Sequence, residues 1–151
     1  MRIKTEYDED IKRYKKELAE KEALRDEYYI SHLEALIPVE KYKEAFYRAV
    51  KECKNAGSKW GSEIVVTFVA KVRNERANAF TDPKIIYADD ADGCEWPQVR
   101  DGRFYWNTYN SGIIEWSEEE QSYIWWRHHN KTYLNILGFI AVEPDPEWFN
   151  F

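Results

Sequence analysis

The apolar residues of this chain change their period once, between Asn55 and Gly61, and that change limits the fold more than any other feature. Before it they recur every three to four positions, the spacing of an amphipathic helix. After it they recur every second position, the spacing of a strand. Helices first and strands after, within 151 residues, predict an α+β fold rather than an alternating α/β one. The length suits a single domain, 1–151, with a helical part (1–57) and a β-rich part (58–151). The helical part alone buries too little to stand by itself, so its helices are expected to pack on the sheet.

Tyr7, Ile11, Tyr14 and Leu18 form one helical stripe, which predicts a helix starting near Asp8. A second stripe, Tyr29, Leu33, Leu36 and Ile37, carries on to Pro38. It reads as one long helix with a change of face, or as two helices broken near Arg25–Asp26. The strict coiled-coil pattern lasts only two turns, too short to specify pairing. The next helix opens at Pro38 and Val39. It carries Tyr42, Phe46, Ala49, Val50 and Cys53 on one face and ends at Asn55-Ala56-Gly57, with Gly57 suited to a left-handed cap. The short connection predicts an N-terminal antiparallel helical hairpin.

"EIVVTFVAKVR" (63–73) alternates as a strand, and "KIIYA" (84–88) is a second. "DDADG" (89–93) is a turn. "GRFYWNTYN" (102–110) and "IIEW" (113–116) read as a hairpin about Asn110-Ser111-Gly112. In "SEEEQSYIWWRHHN" (117–130), Ser117 and Glu120 have capping-box spacing. Glu118, Glu119 and Glu120 fit the positive end of a helix dipole, and His128 and His129 fit its negative end. These features favour a short helix at 118–129 over a rival strand in "SYIWWR". "TYLNILGFIAVEP" (132–144) is the last strand, and "DPEWFNF" shows no order of its own. The expectation is a mostly antiparallel sheet of about five strands.

Charge is unevenly placed. Residues 1–57 are net zero, residues 58–80 net +2 and residues 81–151 net −8, within a total of −6. The acidic part is also rich in tryptophan. Phosphate binding needs Lys and Arg, so direct nucleic-acid binding is not expected of it. A protein partner with a basic surface fits better. "MRIKTEYDED" has no apolar signal region and no run approaches a membrane span. No membrane association is therefore expected, and the reading is a soluble cytoplasmic chain. Two cysteines, Cys53 and Cys94, make no disulfide framework.

No motif fixes a reaction, and no cofactor is implied. HExxH, CxxC, GxSxG, the P-loop and GxGxxG are all absent. Adjacent histidines on a helix point about 100° apart, so His128 and His129 would not chelate one ion. His32 falls within a helix and reads as a partly buried neutral side chain. "ADDADGCEW" (88–96) departs from a calcium loop, with Ala88 first and Val99 twelfth. A looser cation site of Asp89, Asp90, Asp92 and Glu95 is the remaining alternative there. Cys94 with a histidine and Asn107 supplies the residue types of a nucleophilic site but no spacing.

The aromatic set is more informative. Trp106, Tyr109, Trp116, Trp125 and Trp126 beside Glu118, Glu119 and Glu120 could receive a basic side chain. The first expectation is therefore a non-catalytic binding or inhibitor protein whose acidic, Trp-rich face occupies a basic protein surface. Its small, acidic, motif-free character suits a phage- or mobile-element-encoded factor. The second is a nucleotide-like ligand site, binding or hydrolytic, built from Arg73, Arg76, Arg103, His128 and His129 with neighbouring aromatics such as Trp106. The third is a homo-oligomeric structural or virion protein.

Overall fold

The computed structural model describes residues 4–55, 64–88, 99–108 and 112–144. Two helices, α1 (Lys4–Ser31) and α2 (Tyr42–Asn55), precede eight strands. Short 3-10 turns at Leu33–Ala35 and Val39–Lys41 join the helices. The strands are β1 (Ile64–Asn74), β2 (Lys84–Ala88), β3 (Val99–Arg100), β4 (Arg103–Phe104), β5 (Trp106–Thr108), β6 (Gly112–Ser117), β7 (Ser122–Arg127) and β8 (Asn130–Pro144). The main sheet runs β2-β1-β8-β7-β6-β5, and every neighbouring pair is antiparallel. The α+β class stands, with six strands in the main sheet and a separate β3–β4 pair.

α2 and one face of the sheet form the main core. Tyr42, Phe46, Ala49 and Cys53 lie against Val66, Phe68 and Ala70 of β1 and Leu134, Ile136 and Phe139 of β8. This is the face the helical spacing of α2 identified. Phe104 sits among Tyr42, Phe68 and Phe139, with ring centroids 4.8, 5.4 and 5.5 Å away. A smaller cluster of Leu36, Val69 and Ile140, joined by Tyr29, Ile85 and Leu137, covers part of the other face.

The helices therefore pack on the sheet, but not as the expected hairpin. Phe68 and Val69 are adjacent in one strand and point oppositely, so α2 and the end of α1 bury opposite faces. The linker crosses from one face to the other at the edge of β8. There Ile37 and Phe139 exchange two backbone hydrogen bonds of 2.8 Å. Leu36 joins the small cluster and Ile37 packs on the large one, as alternation requires. α1 is one continuous helix, without a break at Arg25–Asp26. Its C-terminal part is tied to the sheet by Tyr87, whose hydroxyl donates to Asp26, and by Arg25, which lies 3.9 Å from Glu143. Ile11, Tyr14 and Leu18 of the first stripe are exposed; the side chain of Tyr7 lies outside the described residues.

The helix expected at 118–129 does not form. Ser117 Oγ accepts from the Glu120 N–H at 3.2 Å, which is the bond a cap would make. The chain nevertheless turns rather than coils. Gln121 takes a left-handed φ of 52° and its amide donates to the Glu118 carbonyl at 2.7 Å. A side-chain to N–H bond three residues on serves a turn as well as a helix. The six residues after it decide the matter. Tyr123 enters the main core and Ile124 is buried on the other side. Large apolar residues at successive positions on both faces fit a strand better than one helical stripe. His128 and His129 therefore complete no helix dipole. They form the exposed two-residue turn between β7 and β8, with His128 at φ 57°. The strand read at 102–110 is likewise divided. Asp101 and Gly102, both at positive φ, close a β3–β4 hairpin before β5 joins β6. Gly57, the 89–93 turn, Cys94, Asn110-Ser111 and the tail lie outside the described residues.

Candidate functional site

Along its outer edge, β8 pairs with β7 as far as Leu134 and meets Ile37 only at Phe139. Between them, among the described residues, no strand lies on that edge of β8. A cleft of about 780 Å³ occupies this break. Its floor includes Leu134, Asn135 and Ile136, and its walls bring in Val39, Phe80, Trp116 and the β6–β7 turn. Two cations enter it, Arg73 from the end of β1 and Arg103 from β4.

Both guanidiniums lie over aromatic rings. Arg73 is 4.3 Å from the centre of the Tyr133 ring and 5.5 Å from that of Phe80. Arg103 is 3.9 Å from the centre of the Trp116 ring. The strand register explains the first pair, because Arg73 and Tyr133 are direct cross-strand partners. Arg73 also donates from Nη1 to the Ala77 carbonyl at 3.2 Å, which steadies it. A guanidinium resting on a ring keeps in-plane N–H donors for an oxyanion, which a lysine in the same place could not offer bidentately.

Glu120 is the acid in the cleft. Its Oε1 accepts from the Tyr133 hydroxyl at 2.8 Å and from Lys131 Nζ at 3.1 Å. Those bonds, Tyr133 first, hold its carboxyl below the usual glutamate range. The same contacts hold the Tyr133 phenol and the Lys131 ammonium above theirs. A lowered carboxylate contributes above the unfolded value and is lost as pH falls through the folded one. Tyr133→Phe should therefore move the Glu120 titration midpoint upward, towards that of an unperturbed glutamate. Carbon-13 NMR of the carboxyl checks this, and an unmoved midpoint contradicts the contact.

The structure divides the residues that the sequence grouped. Trp106 has no exposed surface and stacks with Phe104 at 6.5 Å, so it belongs to the core and not to a docking face. Trp116, Trp125 and Trp126 are half-buried, and each has a cation of the same chain over its ring. The cations are Arg103 for Trp116, Arg127 at 4.1 Å for Trp125 and Lys131 at 5.1 Å for Trp126. Glu118 and Glu119 are exposed on the turn, Glu118 lying 3.8 Å from Arg103. Tyr109 lies outside the described residues. Of the second set, Arg73 and Arg103 share the cleft, while Arg76 lines a neighbouring hollow. Neither hollow is lined by His128 or His129. Sequence reasoning missed Phe80, Tyr133 and Lys131. Pairing "KVR" against "KTYLN" across two strands would have placed Tyr133 beside Arg73.

Among the described residues, no group of three or more His, Cys, Asp or Glu side chains could hold a metal ion. No helix among them is long and apolar enough to cross a membrane. Fold and site together define an α+β protein with an arginine- and aromatic-lined cleft at a break in its sheet. No protein-family model, curated protein or solved structure matches the chain.

Proposed function

We propose that the protein binds a phosphate-bearing ligand with a flat ring, of the nucleotide class, in the cleft at the break beside β8. The observation that carries this reading is the pair Arg73 and Arg103, held on aromatic rings and lining one hollow. The guanidiniums supply charge-assisted donors for phosphate, and Phe80, Trp116 and Tyr133 supply apolar surface against which a ring can lie. This reading comes before an acidic, tryptophan-rich docking face for a basic protein. Trp106 is buried, and Glu118 and Glu120 are already paired with Arg103 and Lys131 of the chain itself.

The test is a calorimetric titration with purine and pyrimidine nucleotides, their nucleosides and inorganic phosphate. Nucleotides should bind more tightly than either part. Arg73→Ala and Arg103→Ala should each weaken binding about 10- to 100-fold, the loss of a charged hydrogen bond. No heat with any nucleotide, or affinities indifferent to both variants, would sink the reading.

Glu120→Gln should act in the opposite direction. It removes a negative charge from the cleft wall and releases Lys131 from its ion pair. Nucleotide affinity should rise roughly three- to tenfold, an effect that shrinks in high salt. Unchanged affinity in the same calorimetry would place the phosphate away from Glu120.

A further inference from the structure

We infer that the cleft is one end of a longer track for single-stranded nucleic acid, an inference that rests on the nucleotide reading of the cleft. A second hollow of about 570 Å³ lies towards the β7–β8 turn. It is lined by Arg76, Arg127 and Lys131, with Asn74 and Asn130 as further polar groups and Glu75 as its acid. The two hollows adjoin. Lys131 belongs to the second and Glu120 to the first, and their side chains meet at 3.1 Å.

Strand register gives the track its composition. Arg73 is opposite Tyr133, and Lys131 is opposite Trp126. Residues two apart share a face, so Arg73 on β1, Tyr133 and Lys131 on β8, and Trp126 on β7 stand on one side of three adjacent strands. Cations thus alternate with rings across a sheet face. Tyr133 and Lys131 are separated by about 6.6 Å along the strand. A cationic groove interleaved with aromatic rings is how single strands are held without regard to sequence, because every base offers a face for stacking. A duplex keeps its base faces covered, so it gains nothing from the rings.

Charge summed along the chain argues against direct nucleic-acid binding. Folding redistributes that charge. Arg76, from the mildly basic segment, shares the second hollow with Arg127 and Lys131 from the acidic one, while Arg73 lines the first. Against these four cations the track sets Glu75 and Glu120, so it is locally positive on a chain of net charge −6.

The test is fluorescence anisotropy with the intact chain and an end-labelled single-stranded oligothymidylate of about 12 nucleotides. A duplex of equal length and a mononucleotide are run beside it. The oligonucleotide should bind at least tenfold more tightly than the mononucleotide or the duplex. Its affinity should fall steeply between about 50 and 200 mM salt. Arg76 and Arg127 are exposed, so Arg76→Ala/Arg127→Ala should leave the fold intact, which circular dichroism checks. This double variant should weaken oligonucleotide binding about tenfold and leave mononucleotide binding unchanged, whereas Arg73→Ala weakens both. A mononucleotide that binds as tightly as the oligonucleotide, a preference for duplex, or an oligonucleotide indifferent to the double variant overturns the track while sparing the cleft. If neither nucleotide nor oligonucleotide binds, the reading of the cleft falls with it.

Discussion

Gly138→Ala should lower the unfolding free energy by about 3 kcal/mol, within the range of overpacked sites that also lose hydrogen bonds. Gly138 lies where the linker passes through the edge of the sheet, and β8 shifts register against β1 just before it and just after it. A Cβ there would stand 2.7 Å from Leu36 Cβ and 2.8 Å from the Ile37 carbonyl oxygen. The second contact is with backbone, which cannot rotate away. Relief requires the linker to lift, and lifting breaks both hydrogen bonds between Ile37 and Phe139. The same movement withdraws Leu36 from Val69 and Ile140 and reshapes the cleft beside Val39. Chemical denaturation of the variant measures the loss. Gly102→Ala is the control. Its added Cβ meets nothing within 4 Å, so at φ 77° only the backbone conformation resists it, at a cost of about 1 kcal/mol. Equal losses for the two variants would mean that the linker does not run against Gly138.

Phe104→Ala should cost about 3 to 5 kcal/mol, the usual cost of emptying a buried aromatic site. Phe104 is the ring around which the aromatic side chains of the main core gather. It meets Tyr42 from α2, Phe68 from β1 and Phe139 from β8. It also meets Trp106 from β5 and Tyr123 from β7, at 6.5 and 6.2 Å. No single element can move in to fill the space, because the walls of the hole belong to five of them. A loss near 1 kcal/mol in urea denaturation would show that the site collapses and that Phe104 is not central. Phe104→Leu should recover most of the stability, since it restores bulk without the ring geometry.

The helix-to-strand order, α2 and its buried face, and the strands 64–73, 84–88, 113–116 and 132–144 were legible because period and side chain agreed there. At 117–130 two local signals competed. Ser117, the glutamates and the histidines had the arrangement of a helix, and Tyr123 to Trp126 had the bulk of a strand. Ser117 makes its capping bond either way, so that bond could not discriminate. Burial on both faces did. The hairpin about Asp101 and Gly102 was also written in the chain, as an Asp-Gly pair between Arg100 and Arg103 with Val99 and Phe104 beyond them.

The site was legible as residue types and not as a place. Arg73 and Arg103 are thirty positions apart, and their sharing one cleft depends on β4 packing against β6. The exposure of the tryptophans was not legible for a related reason. Their exposure depended on which cations folded over them, and Arg103, Arg127 and Lys131 are placed there by turns and cross-strand pairing.

Nitrogen-15 NMR of the arginine side chains during a nucleotide titration tests the central claim most directly. The account predicts that the Arg73 and Arg103 Nε–H signals shift together and saturate at one ligand concentration, while Arg13 and Arg48, distant on the two helices, stay in place. Saturating shifts at other arginines, with Arg73 and Arg103 unmoved, would contradict it.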